Sequence, residues 1–128
     1  MLRDEIIASA NPNIRILEAN AGFETTFRFD KRFIGFQGHF PQYPVLPAFV
    51  QLLLGQCAVA MRNARNWRLL GIQKAKFLKT IRPGQTINVC WNEQAFNEGL
   101  RCDFILSVDN ERAAVFTIEL GIEEKQNA

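Results

Sequence analysis

Between Asp30 and Glu93 the chain has no acidic residue, and in all of its 128 residues it has one histidine and one tyrosine. Each shortage excludes something. The acid-free interval carries Lys31, Arg32, Arg62, Arg65, Arg68, Lys74, Lys76, Lys79 and Arg82, so the thirteen carboxylates are confined to the two ends. Such a split suggests a basic surface that faces an acidic partner or a phosphate group. The patterns that accompany nucleic-acid readers (helix-turn-helix, zinc finger, aromatic RNA-binding signature) are missing, so nucleic acid is not the expected partner. Cys57, Cys90 and Cys102 show no paired spacing, and with a lone histidine they make no metal set. They read as buried thiols in a reducing compartment, which makes the cytoplasm the expected location. The longest uncharged segment, Phe33 to Met61, is broken by three prolines and three glycines and is no membrane span. The N-terminus, "MLRDEIIASANPN", lacks the apolar core of a secretion signal.

What is present suits one hydrophobic core. Hydrophobic residues make up 48% of the chain and charged residues 22%, the balance of a globular protein. The length supports one domain over residues 1–128. Phenylalanine is abundant, and Phe33, Phe36, Phe40 and Phe49 surround the single histidine, His39.

Periodicity supplies the order of elements. "NIRILEA" and "GFETTFRF" predict a strand pair turning at Asn20 to Gly22, with Phe23, Thr25, Phe27 and Phe29 on one face. From Pro47 to about Asn63 the pattern becomes helical, with Pro47 in the first turn. Apolar residues cover nearly its whole circumference, which predicts a buried helix. Strands then return. "WRLLGIQKAKFLKTI" predicts one long extended or bent strand, and "RPG" a turn. "QTINVCWNE", "LRCDFILSV" and "RAAVFTIELGIEE" follow, the last two joined at "DNER". In the last strand Phe116, Ile118, Leu120 and Ile122 fall in register. Two strands, one buried helix and three or four further strands make an α+β arrangement, in which a second chain would cover any apolar face left open.

Two stretches carry a resemblance. "GHFPQYPVLP", followed by the buried helix, resembles the hot-dog-fold 3-hydroxyacyl-acyl-carrier-protein dehydratases of fatty acid synthesis. "AKFLKTIRPGQTINV" resembles that family's strand, Pro-Gly turn and strand. The resemblance spans nearly the whole chain. It implies a long central helix wrapped by a curved antiparallel sheet, two chains pairing their sheets side by side, and active sites at the interface. The partner chain is then a second copy or a different hot-dog chain.

Dehydration of a 3-hydroxyacyl thioester needs a base for the α-proton, a donor to the thioester oxygen and an acid for the departing hydroxyl. His39 is the side chain whose ordinary pKa lies near neutrality, and the resemblance casts it as the base. The backbone N–H of Ala48, at a helix N-terminus, matches the position from which the family polarises the thioester carbonyl; glycine is usual there. Phe40, Pro47, Phe49 and Leu53 are placed to line the acyl chain's path. One part is missing. The family's glutamate or aspartate stands fourteen residues after the histidine, where this chain has Leu53, and the acid-free interval covers the whole helix. Gln56, one turn further along the helix, is a weak substitute because an amide cannot deliver a proton as an acid does. Gln51 lies on another face and reads equally as helix-end solvation. The expectation is a dehydratase-like enzyme whose acid comes from a partner chain. The alternatives are a thioesterase and a non-catalytic acyl-thioester binding module. No metal or other cofactor is expected, the substrate bringing its own phosphopantetheine arm on acyl-carrier protein. That acidic partner is expected to dock on Arg62, Arg65, Arg68, Lys74 and Lys76, the two lysines sharing a strand face by alternation.

Overall fold

The structure is a computed structural model that describes residues 2–18, 22–36 and 43–123. A short helix α1 (Leu2–Ala8) precedes strands β1 (Arg15–Leu17) and β2 (Gly22–Arg28). A 3-10 turn (Ile34–Phe36) leads toward helix α2 (Ala48–Asn63). Strands β3 (Trp67–Phe77), β4 (Thr86–Phe96), β5 (Gly99–Val108) and β6 (Glu111–Ile122) complete the chain. The six strands form one antiparallel sheet in the order β1-β2-β4-β5-β6-β3.

The inner face of this sheet follows the period-two pattern. Phe27, Ile87, Val89, Trp91, Cys102, Phe104, Leu106, Phe116, Ile118 and Leu120 are all buried. Phe23, Trp91, Phe104 and Phe116 are cross-strand partners and form a transverse aromatic row. Neighbouring ring centroids in that row lie 5.6, 5.6 and 5.1 Å apart. Each such pair adds about 0.5–1.5 kcal/mol beyond the area it buries. Helix α2 crosses this row at Gly55. A Cβ there would stand 3.0 Å from the Phe116 ring and 3.3 Å from Phe104, so the absence of a side chain lets helix and sheet approach. Gly22 is as tightly constrained: its φ is +115°, and a Cβ would overlap the Trp91 carbonyl.

Several expectations need correction. Helix α1 is not anticipated by the sequence reading, because "LRDEIIA" contributes only Ile6 to the buried core. Strand β1 is three residues long and largely exposed, so little of the predicted first strand has a face to bury. Its turn to β2 lies partly outside the described residues. Pro47 is the N-cap of α2, with φ −63° and ψ 152°, rather than a residue of its first turn. Helix α2 is not buried all round: Phe49 is 57% exposed, and Leu52 and Leu53 are half-buried. Ile122, expected in register with the core, is exposed at the strand end.

The largest difference is in β3. Two register shifts interrupt its pairing with β6, one at Leu70 and one where Lys74 and Ala75 stand opposite Phe116. Lys74 has a positive φ of 53°. A bulge of this kind re-aims the side chains that follow it, so Lys74 and Lys76 are not related by simple alternation. From Ile72 to Thr80 the segment is exposed at every residue, as befits an uncovered sheet edge. The remaining turns match expectation. Gly84 of "RPG" has φ +81°, and Asp109 and Asn110, both at positive φ, make the two-residue turn between β5 and β6.

Candidate active site

His39 and Phe40 lie outside the described residues, but the described residues on either side of them, Phe36 and Leu46, are fixed. On the N-terminal side, Phe36 is buried and its ring meets Phe33 edge-on, with centroids 5.7 Å apart; Phe33 in turn stacks on Phe29 at 4.4 Å. On the C-terminal side, Leu46 is held twice. Its N–H donates to the Ile81 carbonyl at 2.7 Å, and its carbonyl accepts from Gln51 Nε2 at 3.0 Å. Gly84, three residues after Ile81, donates to the Phe29 carbonyl at 2.7 Å. The Arg82 guanidinium lies 3.8 Å over the Tyr43 ring. The Pro-Gly turn thereby ties the end of β2 to the entry of α2.

Among the described residues, that entry leaves two donors without a partner. The first intrahelical bonds run from Val50 and Gln51 to the Pro47 carbonyl, 3.1 Å each, so the N–H groups of Ala48 and Phe49 precede the ladder. Pro47 supplies no side-chain cap. Ala48 and Phe49 are both exposed, and the positive end of the helix dipole faces outward with them. The arrangement can hold a carbonyl oxygen that gains negative charge. Phe49 and Leu53 share one face of α2 at i, i+4 spacing beside that end, with Pro47 half-buried next to them.

Gln56 is buried, and its Nε2 donates to the backbone carbonyl of Trp67, which commits that amide to joining α2 to the start of β3. Gln51 is also buried rather than solvating a helix end, and its Oε1 has no partner among the described residues. The carboxylate beneath α2 is at the opposite end. Glu93 accepts from Arg62 Nε and Nη2 at 2.8 and 2.7 Å, from Trp91 Nε1 at 3.0 Å and from Asn63 Nδ2 at 3.5 Å. Burial pushes the Glu93 pKa up, but these partners outweigh it and hold the carboxyl below its ordinary value. Arg62 also stacks 4.1 Å from the Phe23 centroid. Arg62, one of the expected docking residues, thus has its charge already met within the fold. Lys79 pairs with Glu111, whereas among the described residues no carboxylate faces Arg65, Arg68, Lys74 or Lys76 within ion-pair distance.

The thiols offer no nucleophile. Burial raises Cys57 and Cys90 to about 11 and Cys102 to about 12, with Glu24 adding to the rise at Cys90, so all three stay protonated at neutral pH. Among the described residues no group of three His, Cys, Asp or Glu could hold a metal ion. No helix among them is long and apolar enough to cross a membrane.

A long helix laid across an antiparallel sheet, with an uncapped N-terminus beside a proline-rich loop, defines a hot-dog protein. A family model described as ApeI-like, ApeI dehydratase, matches residues 15–117, and the chain belongs to that family. The 3-hydroxyacyl-[acyl-carrier-protein] dehydratase FabZ of Thermotoga petrophila is 31% identical over 98 residues, 70% of this chain and 69% of that protein. FabZ of Chlamydia caviae is 43% identical over 63 residues. That match spans 42% of this chain and 41% of the relative's length. Among solved structures, the dehydratase heterocomplex ApeI:P from Xenorhabdus doucetiae superimposes with a TM-score of 0.68 at 23% identity, over 85% of this chain and 94% of the other. A Thermus thermophilus thioesterase complexed with coenzyme A and zinc gives 0.61 at 18% identity, over 84% and 83%. These two likenesses bear on the fold.

Proposed function

We propose that the chain is one half of a dehydratase for 3-hydroxyacyl thioesters carried on an acyl-carrier protein. The observation that carries the reading is the exposed N-terminus of α2, anchored through Leu46 and preceded in sequence by the "GHFP" motif. In this reading His39 removes a proton from the carbon next to the thioester. The Ala48 N–H stabilises the oxygen as enolate character develops. The electron pair then moves back, a double bond forms between C2 and C3, and the C3 hydroxyl leaves as water after taking a proton. The proton for that hydroxyl has no source on α2, where Leu53 stands at the family's acid position.

A second, different hot-dog chain with a carboxylate on its helix supplies that acid, and one complete site forms at the interface. The heterocomplex among the structural neighbours supports this pairing, as does the uncovered β3 edge with Leu70, Ile72, Phe77 and Leu78 exposed. The substrate brings its own phosphopantetheine arm, and the chain needs no further cofactor. The test is incubation of the purified chain with 3-hydroxyacyl carrier protein, alone and with a candidate partner chain. Enoyl product from the mixture and none from the chain alone is the expected result. Full turnover by the chain alone would remove the need for a partner acid. No product from any mixture, with the carrier still bound, would leave a binding module.

A further inference from the structure

The run that enters α2 is anchored by consecutive residues at the Pro-Gly turn. The Ile81 carbonyl accepts from the Leu46 N–H at 2.7 Å, and the Arg82 guanidinium lies 3.8 Å from the Tyr43 ring centroid. Both anchored residues stand directly before a proline, Tyr43 before Pro44 and Leu46 before Pro47. A residue before proline is restricted to extended backbone, and proline fixes its own φ. The run from Tyr43 to Pro47 is therefore stiff, and a displacement at Tyr43 is passed on to Ala48.

The turn that carries Arg82 is itself held. The Arg82 N–H donates to Gln85 Oε1 at 2.8 Å, and its carbonyl accepts from the Gln85 N–H at 3.3 Å. The Gly84 N–H donates to the carbonyl of buried Phe29, and Ile81 is buried beside them in the chain. Tyr43, by contrast, is 52% exposed, so burial does not fix its place. Among the described residues no carboxylate lies within ion-pair distance of Arg82. The guanidinium thus meets a ring rather than a counter-charge, and it meets it from a rigid base.

We propose that Arg82 is a positioning residue: through Tyr43 it sets the direction of the α2 entry, and with it the aim of the Ala48 N–H. The inference rests on the reading of Ala48 as donor to the thioester oxygen and deepens it by naming what holds that donor in place. A donor fixed before charge develops is the effective kind, because nothing has to reorganise as the reaction proceeds. Arg82 touches no reacting atom in this assignment.

The test is a double-mutant cycle of Tyr43→Leu and Arg82→Gln in the full chain labelled with nitrogen-15, with Tyr43→Phe as the variant that keeps the ring. Each of the first two should speed exchange of the Leu46 amide about two- to fivefold, the factor that an exposed cation–ring contact supplies. The double variant should add nothing further, because both changes remove one contact. Tyr43→Phe should match the parent. The probe for the site is the N-acetylcysteamine thioester of a 3-hydroxyacyl chain. In the parent it should move the Ala48 amide signal downfield, and in Tyr43→Leu and Arg82→Gln that shift at saturation should shrink. In the assembled enzyme the same two variants should lower kcat about two- to fivefold and leave KM unchanged. Additive effects in the double variant, a Tyr43→Phe chain that behaves like Tyr43→Leu, or an Ala48 shift of equal size in the parent and Arg82→Gln would overturn the proposal. An Ala48 signal unmoved by bound probe in the parent, with the Leu46 coupling intact, would keep Arg82 as the bracket of the α2 entry and reject the thioester reading.

Discussion

Arg62 in the last turn of α2 and Glu93 on β4 share two hydrogen bonds, 2.8 and 2.7 Å long. Glu93 is the first carboxylate after the acid-free interval, so the interval ends where the helix needs a counter-charge. The pair closes the end of the helix opposite Ala48. Its pKa direction fixes a pH dependence. Folding depresses the Glu93 pKa, so the stabilisation is complete above the unfolded value and is lost as pH falls through the folded value. Thermal unfolding should show the loss mainly below about pH 4.5. Glu93→Gln should flatten that part of the profile. An unchanged acid limb would show that Glu93 is equally ionisable in both states.

The helix crossing gives a second prediction. Gly55→Ala raises intrinsic helix propensity by about 1 kcal/mol. The new methyl, however, meets Phe116 and Phe104, and both rings are fixed in the buried aromatic row. Overpacking of this kind costs about 1–3 kcal/mol, so the sum is expected to be destabilising. Chemical denaturation should place the variant's midpoint below that of the parent. A higher midpoint would mean that the row yields and propensity wins.

The crossing also shows how much of the fold was legible in the sequence. Strand faces were readable because Ile87, Val89 and Trp91, or Cys102, Phe104 and Leu106, repeat at period two and bury one side. The bulge at Lys74 was not, because exposed edge residues obey no hydrophobic period that would betray a slip in register. Helix α1 escaped because seven residues with one buried side chain carry little periodic signal. For the candidate site, "PVLP" placed the helix entry to within one residue, Pro47 being the N-cap. The fates of Gln51, Gln56 and Arg62 were hidden, because each depends on a polar partner that no hydrophobic period marks: Leu46, Trp67 and Glu93. Only the carboxylate two residues after Trp91 hinted at the last of these.

The catalytic reading gives a paired prediction. His39→Ala should abolish dehydration by the assembled enzyme while leaving the unfolding midpoint within about 0.5 kcal/mol of the parent. Leu53→Glu restores a carboxylate at the family's position. It should let the chain form enoyl product without a partner, detectable by mass spectrometry of the carrier-bound acyl group. Activity retained in His39→Ala would remove the base assigned here. A Leu53→Glu chain that folds and remains inert alone would mean that more than the acid is missing.

The cations that remain unpaired define the docking test. Arg65 and Arg68 follow α2, and Lys74 and Lys76 lie around the β3 bulge, all exposed and, among the described residues, without a carboxylate within ion-pair distance. Arg62 differs because its charge is already met by Glu93. Charge reversal of Arg65 with Arg68, or of Lys74 with Lys76, should slow association with an acidic carrier protein about tenfold at low salt. The effect should shrink as the screening length falls to about 8 Å at physiological ionic strength. Arg62→Gln should do the reverse, lowering the unfolding midpoint by an amount equivalent to about 1–3 kcal/mol and leaving the salt dependence of binding unchanged. Stopped-flow association across a salt series separates the two groups. If Arg62→Gln alone alters the salt slope, the carrier docks at the helix end and displaces Glu93. If neither double reversal does, the carrier meets another face of the protein.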